Sequence, residues 1–513
     1  MPPAEKRPSR EGESDVVGWI AEYLQRTGPR FVVLAGPAGA GKSSLLRALF
    51  PRLSGEAIFL IYQQPTVTGP DGQSRPQVGG ATTLLLADPH RETMSPPPRS
   101  EAPLLAGLVA GERREEYAIP PPFRAAIERM TQNGGGCMLL DSWDRDSERF
   151  VRGLVPDPSG LTTFSLPSTE FGTLQSAILG MKNNVVLAVI PELAASLQSL
   201  ADAVINLREE TRNGARVRLV SVPKSRGSGI ESRDHLYTLE QGRFRSLADL
   251  PAGFSPPSAD PDPDPEPTAG TLWPGSAAFA DAFGRLKHGA MTALTLSPDV
   301  SDPLATAIVQ PLVVHALRAA DRVVWMPAPA LRPSKAIALV RERVPVDWVR
   351  ERLRVISASG DDPGLGELAG VVLPLRRAVG TGGDLRAATS PGVGPIFPDA
   401  HKFLRMTPEA SSALYVMSIE GLKASAAAAG VALNVATLPV VLAAYARLPR
   451  FHGFGYGQAN DPVAAALLPV TTTTVHLQVV CGRPVLHGER PRTPAFAMDW
   501  PTPDGRYTLL PCQ

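Results

Sequence analysis

The stretch GPAGAGKS, Gly36–Ser43, constrains this chain more than any other. It satisfies the spacing G-x-x-x-x-G-K-[ST] at every fixed position, follows the apolar run FVVLA, and opens a helix-forming segment at Lys42. Glycine tolerates the backbone that such a loop needs, so successive N–H groups can converge on the oxygens of a phosphate. The N-terminus of the next helix adds a favourable dipole. The expected cradle is Gly36, Pro37, Ala38, Gly39, Ala40, Gly41, Lys42, Ser43 and Ser44, with Lys42 reaching the outer phosphates and Ser43 ligating Mg²⁺. A chance Gly-rich turn is the bland alternative, and the flanking strand and helix weigh against it.

Three further stretches fit the same chemistry. In CMLLDSWD, Asp141 ends an apolar run, where a carboxylate can hold Mg²⁺ through its water shell. Taken singly, an acid at a strand end is a commonplace turn residue. FLIYQQPT, Phe59–Thr66, ends in Gln63 and Gln64, where enzymes that cleave ATP often carry a carboxylate. Glutamine can orient a water by hydrogen bonding but cannot take its proton. In PKSRGSG, Lys224 and Arg226 follow a strand two residues apart, and so share a face in extended geometry. Two cations ahead of a Gly-rich loop suit a terminal phosphate, with a solvated strand end as the bland reading.

Around these motifs, apolar strands alternate with amphipathic helices, which implies a mainly parallel sheet covered on both faces. RVRLVSVPK and HLYTLEQGRFRSL add an antiparallel pair. With 513 residues there is room for two or three domains. The 53 prolines concentrate in a few places. A Pro-rich insertion spans about residues 63–122, with a short apolar element at Thr82–Ala87. SPPSADPDPDPEPTAG, Ser255–Gly270, reads as a linker, because proline blocks helix and ladder and like charges extend a chain. The expected domains are therefore 1–254 and 271–513, joined by 255–270.

The formal net charge of +1 provides no global field to recruit nucleic acid or an anionic membrane. Cys137, Cys481 and Cys512 form no metal-binding or disulfide pattern, and the first residues lack an apolar signal core, so a cytoplasmic location is expected. The uncharged run Ala424–Ala446 contains Ser425, Gly430, Asn434, Thr437 and Pro439, and reads as helix, buried strand VALNVAT and helix rather than a membrane span.

Taken in order, GPAGAGKS, FLIYQQ, MLLDSWD, VVLAVIPE, LADAVINL, RVRLVSVPKSRG and HLYTLEQGRF resemble the RecA-like ATPases of the KaiC/RadA group over about Val16–Leu250. DSWD and HLYTLEQGRFRSL look more like the gas-vesicle regulator GvpD-like branch. The resemblance implies ATP and Mg²⁺ as cofactors, and a ring in which Lys224 and Arg226 reach the nucleotide of a neighbouring subunit. It also places the family's paired catalytic glutamates on Gln63 and Gln64, and this chain lacks the usual Gly/Asp-rich entry before the loop strand.

Residues from about Trp273 onward look like a degenerate KaiC-like copy without a P-loop. LSPDVSDPLA, Leu296–Ala305, stands in its place, and its Asp299 and Asp302 would repel phosphate. Ser418 stands where the Mg²⁺ acid belongs, and Arg483 and Arg490 are candidate echoes of Lys224 and Arg226. The bland alternative is an unrelated α/β domain. The expected function is an ATP-binding regulatory protein with slow hydrolysis, working through a homo-oligomer or through a protein partner on the second domain. One alternative is a DNA-associated ring ATPase, favoured by Arg212, Arg216, Arg218, Lys224 and Arg226 but lacking an aromatic single-strand platform. The other is a non-catalytic structural subunit.

Overall fold

The computed structural model describes residues 16–26, 30–53, 57–63, 66–68, 74–76, 81–87, 136–143, 184–227, 234–247, 250, 254–357, 362, 364–374, 403, 412–428, 450–500 and 505–512. Gln64 and the strand VALNVAT lie outside the described residues. The chain divides into two compact units, Met1–Asp249 and Leu250–Cys512.

In the first unit the helices are α1 (Val16–Gln25), α2 (Lys42–Leu49) and α3 (Pro191–Leu197). The strands are β1 (Phe31–Ala35), β2 (Ala57–Gln63), β3 (Thr66–Thr68), β4 (Ser74–Pro76), β5 (Ala81–Ala87), β6 (Cys137–Trp143), β7 (Asn184–Val189), β8 (Ala203–Arg212), β9 (Ala215–Ser225), β10 (His235–Thr238) and β11 (Arg245–Ser246). One sheet runs β11-β10-β9-β8-β1-β7-β6-β2-β5. Strands β2, β6, β7, β1 and β8 run parallel to one another, whereas β9, β10, β11 and β5 pair antiparallel. The apolar element of the Pro-rich insertion is thus the edge strand β5.

All five residues of β1, FVVLA, are buried, as a central parallel strand covered on both faces requires. Each fully buried Val or Leu there contributes about 1.5–3 kcal/mol relative to exposure. The β8–β9 turn uses Asn213 and Gly214, both at positive φ (48° and 82°), the backbone that matches strand twist in a two-residue hairpin.

The second unit contains β12 (Thr271–Leu272), β13 (Leu286–Lys287), β14 (Ala290–Leu296), β15 (Arg322–Met326), β16 (Leu353–Ser357), β17 (Val372–Pro374), β18 (Ala413–Ser418), β19 (Phe451–Gln458), β20 (Thr473–Val480), β21 (Arg483–Arg490), β22 (Ala495–Asp499) and β23 (Thr508–Pro511). Its helices are α4 (Ala277–Phe283), α5 (Asp302–Arg318), α6 (Pro333–Arg341), α7 (Val346–Arg352), α8 (Ile419–Ala428) and α9 (Pro462–Leu467). The main sheet runs β17-β16-β15-β18-β19-β14-β20-β21-β22-β23. Along β15, Val323 and Trp325 enter one core while Val324 and Met326 enter another, so both faces of the sheet are buried.

The two sheets share one order. In each, the first long strand (β1, β14) lies between the last two strands of the parallel set (β7 and β8, β19 and β20), and antiparallel strands continue beyond the last. They differ at one edge, where β5 is antiparallel to β2 but β16 is parallel to β15. Both are α/β sheets rich in parallel strands.

The Pro/Asp run differs from the linker expected of it. The unit boundary falls ahead of it, at 249/250, and the run is bound to the second unit. It forms neither helix nor ladder, as its prolines dictate. Its three aspartates, however, are each paired. Asp260 pairs with Arg318 (3.1 Å) and Arg343 (3.6 Å). Asp262 accepts from the Ala277 N–H at the start of α4 (2.7 Å) and pairs with Arg506 (3.4 Å). Asp264 accepts from both terminal nitrogens of Arg285, and that hydrogen bonding holds its carboxyl below the usual range. Ser258 accepts from Gln310 of α5. Opposite charges supplied by the folded unit thus remove the self-repulsion that would extend the run in isolation.

Candidate phosphate-binding site

Strand β1 ends at Ala35, and the loop Gly36–Gly41 carries the chain to Lys42, the first residue of α2. Gly39 and Gly41 adopt left-handed φ (81° and 86°). A Cβ on Gly41 would sit 2.7 Å from Leu239 Cδ2, and one on Gly36 would sit 2.8 Å from the Leu207 carbonyl oxygen. Glycine is therefore needed at 41 for both conformation and space, and at 36 for space alone. No side chain caps the N-terminus of α2, which leaves its first N–H groups available to an anion. Pro37, Ala38 and Gly39 are exposed, Lys42, Ser43 and Ser44 half-buried, and Gly36 and Ala40 buried.

Lys42 Nζ donates to the carbonyl oxygens of Gly36 (2.6 Å) and Pro37 (2.9 Å). Burial lowers the pKa of its ammonium from the ordinary lysine value, and the negative charge of Asp141 opposes that shift. Asp141 is only 5% exposed. The β6–β7 pairing is irregular between Leu140 and Trp143, the kind of bulge that re-aims a side chain at a site. The loop, Lys42 and Asp141 are thus brought together at the edge where the parallel strands end. Among the described residues no group of three or more His, Cys, Asp or Glu side chains is placed to hold a metal ion. Mg²⁺ does not require one, since it keeps several waters and binds through one or two protein groups plus phosphate.

Gln63 ends β2, two residues beyond Ile61, the register partner of Asp141. Lys224 and Arg226 lie elsewhere. Lys224 pairs with Val204 near the start of β8, at the sheet edge opposite the loop. Its ammonium donates to the carbonyl oxygens of Gln198 and Ser199, just past the end of α3. Arg226 donates to Ser199 O (3.0 Å) and pairs with Asp202 (3.6 Å). Together they cap α3, a role basic groups fill well at a helix C-terminus. The remaining basic run is paired: Arg216 and Arg218 with Glu209, and Arg212 with Glu210.

At the corresponding edge of the second unit the charge is inverted. Asp302 opens α5, and its carboxyl is raised above the usual range, first by burial and then by the charge of Glu420. Ser418 is fully buried, donates to Glu420 (3.3 Å) and accepts from the Gly421 N–H (3.1 Å). Arg483 forms a buried pair with Asp499 (3.0 Å). Arg490 donates to Leu468 O (3.3 Å) beyond α9, as Lys224 and Arg226 do beyond α3. One contact within the first unit has no local sequence signal: Tyr237 donates from its hydroxyl to Ala40 O at 2.6 Å.

No family model matches the chain, and no curated protein matches it.

Proposed function

We propose that the first unit is a RecA/KaiC-like ATP·Mg²⁺-binding domain of a regulatory protein that hydrolyses ATP slowly. The observation that carries this reading is the meeting of Lys42, the uncapped start of α2 and buried Asp141 at one end of a central parallel strand. Lys42 would exchange the carbonyls of Gly36 and Pro37 for phosphate oxygens, a stronger charge-assisted bond. Ser43 and Asp141 would hold Mg²⁺, which supplies charge neutralisation across the outer phosphates. Gln63 can position a water without deprotonating it, which favours holding nucleotide over cleaving it.

Lys224 and Arg226 cannot serve their own chain's phosphates from the far edge of the sheet, so any role in turnover requires a second copy of the chain. The internally paired Arg212, Arg216 and Arg218 disfavour a DNA-tracking groove, which needs free cations. The second unit, with Asp302 and Glu420 where phosphate would sit, is read as a non-hydrolysing docking domain of a GvpD-like regulator. Equilibrium titration of the full chain with ATP and Mg²⁺ tests the proposal. Saturable binding that is lost in Lys42→Ala is expected, and a wild type without affinity for ATP would refute it.

A further inference from the structure

We infer that Tyr237 is a positioning residue for the phosphate loop, and that the turn following β10 is the loop's clamp. The inference deepens the nucleotide-binding reading and rests on it. Tyr237 is fully buried, and its hydroxyl donates to the carbonyl oxygen of Ala40 at 2.6 Å. Ala40 lies between Gly39 and Gly41, the two left-handed glycines, where the backbone has most freedom to turn over. A trans peptide holds its C=O and N–H in opposite directions. Pinning Ala40 O toward Tyr237 therefore fixes the Gly41 N–H on the other side of the same peptide plane. It also keeps a partial negative charge from rotating toward a bound anion.

The same element holds the next residue. Leu239 lies so close over Gly41 that a methyl group there would collide with both of its Cδ atoms (2.7 and 2.8 Å). The clamp is itself braced. Tyr237 stacks on Phe244 at 4.8 Å across the turn, and Leu236 pairs in register with Leu219 of β9. Burial raises the phenol's pKa, so the hydroxyl remains a donor over the physiological range. A buried tyrosine hydroxyl usually finds some acceptor. Here the acceptor is the carbonyl that shares its peptide plane with the Gly41 N–H.

Tyr237→Phe keeps the ring and its stacking and removes only the donor. Full-length Tyr237→Phe should bind ATP and ADP roughly three- to tenfold more weakly than wild type, the scale of one lost hydrogen bond. Its affinity for adenosine, which has no phosphate, should be unchanged. Phe244→Leu, which loosens the stack but leaves the hydroxyl, should lower the melting temperature without selective loss of ATP over adenosine. Equal ATP affinity in Tyr237→Phe and wild type, or parallel losses for ATP and adenosine, would overturn the inference. A wild type that binds no ATP would instead overturn the nucleotide reading itself.

Discussion

Lys42 and Lys224 stand at opposite edges of one sheet. Val204 at the start of β8 is the partner of Lys224, whereas Asn206 of β8 already pairs with Ala35, the last residue before the phosphate loop. Val204 and Asn206 are two residues apart, so the backbone of Lys224 lies ~7 Å short of the loop along the strand direction. Its ammonium turns further from the loop, to the carbonyl oxygens of Gln198 and Ser199, where Arg226 also donates, which divides the cationic candidates into Lys42 at the loop and two at the other end of the strands.

The first prediction follows from this separation. Lys224→Ala and Arg226→Ala should leave ATP affinity unchanged at concentrations where the chain is monomeric. Each should lower stability by about 1 kcal/mol or less, because these largely exposed groups cap α3. Denaturant titration and nucleotide titration on the same preparations separate the two effects. A loss of monomer affinity would place these residues at the chain's own site, against the register.

The second prediction concerns Gln63. Restoring a carboxylate with Gln63→Glu should raise steady-state ATP turnover by about tenfold or more, since a positioned general base contributes at least that much. Phosphate release measured at saturating ATP is the readout. Turnover equal to wild type would mean that the end of β2 does not limit cleavage.

The third prediction is a pH dependence. His452 is buried, donates from Nδ1 to Lys287 O (2.8 Å) in its neutral form, and lies near His288. Burial, foremost, lowers its pKa to about 4 from an ordinary 6.5. His288 and His315 are lowered in the same direction, chiefly by burial, and Asp321 opposes this while Arg450 reinforces it at His288. Below pH 6.5 the unfolded chain therefore binds more protons than the folded one. The contribution is fully present above pH 6.5 and is lost as pH falls toward 4, on the order of 3 kcal/mol for His452. Denaturant midpoints of the full chain at pH 7.5 and 5 should differ accordingly, and His452→Gln should flatten the difference. An unchanged slope in that variant would dismiss His452 as its source.

The fourth prediction concerns the Pro/Asp run. Despite a composition that suggests an open linker, Ser255–Gly270 should resist limited proteolysis in low salt. Arg285→Ala should expose it, because Asp264 loses its bidentate partner. Cleavage of the wild type there at the first time points would contradict the observed pairing.

Local features could be read from the sequence, whereas non-local ones could not. The loop Gly36–Ser43, strand FVVLA and the acid at Asp141 each carry their signal within a few residues. Tyr237 does not, since its acceptor Ala40 is 197 positions away. The acids of the Pro/Asp run announce repulsion, and only the fold brings Arg285, Arg318, Arg343 and Arg506 to them. Ser418 looks like a vacant metal position by alignment, yet its hydroxyl is engaged at the start of α8 with Gly421. The spacing of Lys224 and Arg226 gives a shared face but not an edge of the sheet, which depends on how β9 returns along β8.

Each sheet is built around its earliest long strand, and this fixes an order of events during translation. Phe31 of β1 pairs with Val185, and Val32 with Ala203, so the most apolar strand of the first half emerges far ahead of both neighbours. The second half repeats the delay, since Ala290 of β14 waits for His452 and Thr292 for Thr473. Contacts so distant along the chain fold slowly and leave an apolar strand unpaired on the ribosome. The nascent chain must therefore keep FVVLA and, later, AMTALTL from pairing with the wrong edge twice in a single synthesis.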